Sequence, residues 1–153
     1  MMTSLLSVAL GGAIGASGRY LTNEAVMRLV GPGFPWGTVA ANLFGSFLMG
    51  ALVVILAHKG GTRIAPFLMT GVLGGYTTFS AFSLDAYTLY ERGAYLQAGG
   101  YVFGSVVLGI AGLIAGIAVA LGVFAWAEFK PRSSAKTRAI SGSIAGCASI
   151  SRF

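Results

Sequence analysis

Four apolar stretches, each about as long as a bilayer is thick, govern what this chain can fold into. A hydrocarbon core of about 30 Å takes about 20 helical residues to cross. Residues 3–29 carry no charge before Arg19, and residues 37–57 and 64–84 carry none at all. A fourth span lies within the uncharged stretch 93–127, which is too long for one perpendicular crossing. Its early part, residues 93–99, is assigned to a connection. Composition agrees: 56% of residues are hydrophobic and 9% charged, against about 25% charged in a soluble domain. Such a surface faces something other than water. The reading is therefore an all-α integral membrane protein with four transmembrane helices.

The connections carry turn chemistry. Gly31, Pro32, Gly33, Phe34 and Pro35 separate the first two spans; residues 58–63 separate the second and third; Glu91, Arg92 and Gly93 separate the third and fourth. Lys130-Pro131 ends the last helix. Two domains are expected: residues 1–129 as a transmembrane domain and 130–153 as a basic, disordered tail. Residues 1–16 lack the positive n-region of a signal peptide and are read as the start of the first span.

The net charge is +6, and five of the ten Lys/Arg lie in the tail: Lys130, Arg132, Lys136, Arg138 and Arg152. Following a hydrophobic segment, they suit anionic lipid rather than nucleic acid. An even number of spans puts both termini on one side. That side carries Lys59 and Arg63 besides the tail; the other carries Arg28 and Arg92, with Arg19 if it reaches that interface. Without the tail the bias is near zero, which instructs insertion weakly. Such a chain can insert both ways and pair as an antiparallel dimer. Four helices also leave little interior for a pathway, so an oligomer is expected.

The third segment is the most informative. It reads GVLGGYTTFSAFS over residues 71–83. Paired glycines (Gly74, Gly75) and paired threonines (Thr77, Thr78) in mid-span are poor helix material, so a break is expected there. Hydrocarbon cannot satisfy the freed N–H and C=O groups, so a break must be buried in protein or line a cavity or ion site. Freed carbonyls suit a cation and freed N–H groups an anion; a packing kink is the plainer alternative. Phe79 and Phe82, at i and i+3, share a helix face, with Ser80 and Ser83 on the next strip and Thr77 one turn before Ser80. Aromatic pairs at that spacing are ordinarily core or lipid contact. Here the positive phenyl edges stand beside hydroxyl donors, which suits a small anion and not a cation.

Asn42, Ser46 and Gly50 share one face of the second span. An Asn at that depth needs a partner, whether as interhelical glue or as a donor to an anion. Arg19 either snorkels to the interface or acts as a vestibule charge that attracts anions. Tyr101 and Ser105 place hydroxyls on the face of Gly109 in the fourth span, where Gly112 and Gly116 allow close packing. No enzyme constellation appears. Asp85 has no His or Lys beside it and is read as interfacial, as are Glu91 and Glu128. Residues 71–75 lack the Lys of a phosphate loop. Cys147 is the one cysteine, and His58 is read as a solvated loop residue.

Three motifs resemble the CrcB/Fluc family of fluoride channels. They are Gly11, Gly12, Gly15 with Arg19 and Tyr20; Gly37, Thr38, Asn42, Gly45 and Gly50; and Gly74, Gly75, Thr77, Thr78, Phe79, Ser80, Phe82 and Ser83. Together they cover about residues 5–125. The resemblance implies a multi-pass protein of the cell's inner (plasma) membrane, a dual-topology homodimer with two antiparallel fluoride pores. It makes Phe79 and Phe82 the pore phenylalanines, Asn42 a pore donor, Ser80 and Thr78 part of a line of hydroxyls, and Tyr101 and Ser105 polar positions on the fourth helix. It also implies a structural sodium ion at the dimer interface, held by carbonyls at Gly74 and Thr77. Departures are Tyr76 (ordinarily smaller or apolar), Ala81 for Thr, Asp85 for Glu, and Gly109 where some members carry Ser. Two other readings stand beside it. A small dimeric four-helix multidrug exporter needs a central carboxylate that the first three spans lack. A non-transporting packing subunit predicts a stable hetero-partner.

Overall fold

The structure is a computed structural model and describes residues 2–61 and 63–129. Every regular element among them is helical. Helix α1 spans Met2–Val30 and α2 spans Trp36–Lys59. A wide, π-wound segment follows at Pro66–Leu73, leading into a single turn, α3, at Gly74–Tyr76. Helix α4 spans Phe79–Glu91 and α5 spans Tyr95–Phe129. The chain divides into two compact units, residues 1–121 and 122–153. Of the second, residues 122–129 are described, and they are helical. The expected basic tail, 130–153, lies outside the described residues.

The helix ends follow from turn chemistry. Gly31 (φ 86°) and Gly33 (φ 125°) take backbone conformations that L side chains rarely adopt, and they turn the chain between α1 and α2. Gly60 closes α2 in the left-handed conformation, φ 64°, and its N–H reaches back to the Leu56 carbonyl. His58 thus belongs to the last turn of α2 rather than to a loop; its Nδ1 lies 3.1 Å from the Val54 carbonyl. Helix α5 starts at Tyr95, so residues 95–99 are helical and not a connection as expected. Gly99 and Gly100 cost helix propensity, but the apolar run and the packing of Ala98 outweigh it.

Glycines set the close approaches. A Cβ at Gly11 would stand 2.5 Å from the Phe67 carbonyl oxygen, and one at Gly75 would stand 2.7 Å from that of Gly12. Helix α1 and the segment 66–76 therefore meet backbone to backbone. Gly50 on α2 lies against the Leu113 carbonyl, and Gly116 on α5 against that of Phe47, which pairs α2 with α5.

Among the described residues, helices α2 and α5 are the two long and apolar enough by themselves to cross a membrane. Only 22% and 17% of their apolar windows are covered by the chain, whereas a core helix of a soluble protein is mostly covered. Leu5, Leu6, Leu10 and Ile14 on α1 and Phe103, Ile110 and Ile114 on α5 are all exposed. Apolar surface that extensive marks contact with lipid or another chain.

Candidate functional site

The site is built around the interruption between α3 and α4. Thr77 (φ −83°, ψ 152°) and Thr78 (φ −150°, ψ 124°) are extended. The helix runs through Gly74 and Gly75 and fails only at the threonines. The expected break is therefore narrower than the sequence suggested. The glycines serve the contact with α1, and helical geometry keeps them there. Thr77 still donates its N–H to the Leu73 carbonyl (2.9 Å), and its Oγ1 donates to the same oxygen (2.9 Å). Being non-helical, Thr77 does not extend the Ser80 strip as predicted.

Asn42 closes the break. Thr78 N–H donates to Asn42 Oδ1 (2.8 Å), and Asn42 Nδ2 donates to the Thr78 carbonyl (3.1 Å). The amide substitutes for a neighbouring strand and satisfies both backbone groups of one residue. An amide nitrogen has two hydrogens, so one remains for another acceptor. In a continuous helix the Thr78 N–H would bond to the Gly74 carbonyl; here that carbonyl gives up its donor. Thr78 then starts α4 as its N-cap, its Oγ1 accepting from Ala81 N–H (3.2 Å) and lying 3.2 Å from Ser80 Oγ.

Phe79 and Phe82 do share a face, but their settings differ. Phe82 is buried (9% exposed) and Phe79 is open (79%). Their ring centroids are 5.5 Å apart, and Phe82 lies 5.2 Å from Tyr101. Tyr101 meets Phe34 edge-on at 5.6 Å, and Phe34 meets Trp36 at 4.5 Å. The result is a ladder of rings from the exposed Phe79 to the loop between α1 and α2. Beside its Phe79 end lies an open groove of about 370 Å³, lined by Asn42, Ser46, Thr77, Thr78, Phe79 and Gly109 among others.

Asp85 is the residue the sequence reading undervalued. Thr38 Oγ1 donates to Asp85 Oδ2 (2.7 Å), and Tyr101 OH donates to the same oxygen (3.3 Å). The carboxylate ties α2, α4 and α5 together beside the ring ladder. Its position three residues after Phe82 was the available signal. Ser105 Oγ, one turn beyond Tyr101, is buried with no hydrogen-bond partner among the described residues. Arg19 is partly buried on α1 and is not among the residues lining the groove. Tyr76, the unusual residue at the break, sets its hydroxyl 3.0 Å from Thr22 Oγ1 and its ring edge-on to Phe44.

Mostly uncovered apolar helices, with an interrupted helix clamped by a polar side chain beside them, mark a membrane protein that carries a polar site. The chain belongs to the CrcB family: the model described as "CrcB-like protein, Camphor Resistance (CrcB)" matches residues 6–117. A Cereibacter sphaeroides protein named fluoride-specific ion channel FluC is 67% identical over 122 residues, covering 80% of this chain and 98% of that protein. Proteins of the same name from a Ruegeria species (60% over 124 residues, 80% and 98%) and from Paracoccus denitrificans (55% over 125 residues, 82% and 100%) are also similar.

Proposed function

We propose that this chain is the subunit of a fluoride-selective channel that lets fluoride leave the cell passively and so lowers cytoplasmic fluoride. The observation that carries the reading is the Thr78 interruption, where Asn42 retains a free N–H beside Phe79 and an open groove. The names of the relatives supply the ion. Fluoride in a narrow, dry path exchanges its water for amide N–H, hydroxyl and phenyl-edge contacts. Asn42, Thr78, Ser80, Phe79, Phe82, Tyr101 and Ser105 would provide them, with Arg19 raising the local anion concentration at a vestibule.

In this reading residues 1–129 form the channel domain, with four spans, in the inner (plasma) membrane. Two chains of opposite orientation pair as a homodimer, and each completes the other's open groove. The exposure of Phe79 supports this, since a ring 79% exposed at bilayer depth needs a covering surface. A structural sodium ion fits the break. The Gly74 carbonyl has lost its helical donor, and together with the Thr77 carbonyl it would hold the cation between the two copies. Bound there, the ion supplies charge that offsets exposed carbonyl dipoles.

The test is efflux from liposomes holding the purified protein, with fluoride and chloride compared. Fluoride efflux without chloride efflux is expected. Equal efflux of both ions, or none, overturns the proposal.

A further inference from the structure

A second polar site lies under the loop joining α1 and α2. There a cavity of about 150 Å³ is lined by Asn23, Phe34, Trp36, Thr38 and Asp85 among others. Its polar atoms are unbalanced. Asn23 Oδ1 is buried and has no hydrogen-bond partner among the described residues. The hydroxyls of Thr38 and Tyr101 both donate to Asp85 Oδ2, and no described donor reaches Oδ1. Arg28–Glu24 is the ion pair seen, and no Lys or Arg among the described residues pairs with Asp85 within 4.0 Å. Arg92 lines the neighbouring cavity that Asp85 also borders, but it does not pair with it.

A buried, unmatched acceptor costs about 1–3 kcal/mol, and a carboxylate in a confined space costs more unless paired. Of the two acceptors only Asn23 Oδ1 is buried; both residues line this one cavity, and no donor among the described residues reaches Asn23 Oδ1 or Asp85 Oδ1. An anion is excluded there by charge. A divalent cation would find a single formal negative charge. We infer that the cavity binds a small monovalent cation, held by Asn23 Oδ1 and Asp85 Oδ1 with water completing its shell, beside the rings of Trp36 and Phe34. The faces of such rings attract cations in their own right. The site uses different atoms from the carbonyls at the break and rests on the cavity alone, not on fluoride conduction. Its consequence for an anion route is direct: the one carboxylate bonded into the ring ladder is neutralised by an ion rather than left to repel.

Trp36 lines the cavity, and Trp126 is the only other tryptophan. In the Trp126→Phe protein in detergent, sodium gluconate replaces N-methylglucamine gluconate at constant ionic strength, and Trp36 fluorescence is followed. A saturable change is expected. Asp85→Asn should shift its midpoint upward by about tenfold or more, since it removes the only full charge, and Asn23→Asp should shift it downward. Asn23→Leu serves if Asp85→Asn fails to assemble, and it also should raise the midpoint. A flat titration, meaning a cavity holding water alone, overturns the inference. So does a saturable change with the same midpoint in these variants, which would place the ion elsewhere. Failure of fluoride efflux would leave this titration unaffected.

Discussion

Asn42 and Thr78 form a closed pair of hydrogen bonds across two helices. Asn42→Leu removes both and leaves a backbone N–H and C=O without partners. It should lower stability by about 1–3 kcal/mol, read as a drop in thermal midpoint in detergent. Tyr76 holds α3 to α1 through Thr22. Tyr76→Phe keeps the ring contact with Phe44 and loses only that bond, so it should cost about 1 kcal/mol or less, as membrane hydrogen bonds do. Phe82 stacks between Phe79 and Tyr101. Phe82→Ile keeps volume in the core but removes the positive phenyl edge. Fluoride flux should fall by about tenfold or more, equivalent to about 1.4 kcal/mol on the barrier, while the oligomer seen by size exclusion persists. Normal flux in that variant would remove the aromatic part of the proposed path.

Among the elements, the contact of α1 with the segment 66–76 and that of α2 with α5 depend on glycine. At Gly116 an added Cβ meets the Phe47 carbonyl, a backbone atom that cannot rotate away. Gly116→Ala should therefore separate α2 and α5 and cost about 1–3 kcal/mol, measured by thermal unfolding. Gly122→Ala, where nothing lies within 4 Å, is the control and should be neutral or slightly stabilising. The spacing of Gly112 and Gly116 announced close packing; the partner helix was not announced. The interruption was legible in the same partial way. Gly74, Gly75, Thr77 and Thr78 pointed to it, but the glycines remained helical because they serve α1. Extended backbone appeared only where Asn42 reaches across to Thr78. Propensity marks where a helix is weak, and a partner 36 residues away in sequence decides where it opens.

For the whole molecule, the apolar helices leave most of their surface uncovered within one chain, and the proposed antiparallel homodimer covers part of it. With Cys147 replaced by Ser and Pro32 by Cys in the exposed loop between α1 and α2, an impermeant maleimide should label about half of the chains in sealed vesicles, as the near-zero charge bias outside the tail implies. Labelling of all chains or of none would mean a single orientation and would overturn the dual topology.

The amino-acid order alone determined the membrane setting, the first two helices and the family, and only roughly the helices after them. Those properties come from runs of apolar residues and from local turn chemistry, which each segment carries by itself. Tertiary structure decided which polar groups meet. Asp85, read along the chain, is a carboxylate near a helix end; in space it takes hydroxyls from two other helices and borders a cavity with an unmatched amide oxygen. Hydrogen-bond partners far apart in sequence are chosen by packing, and no local pattern encodes them.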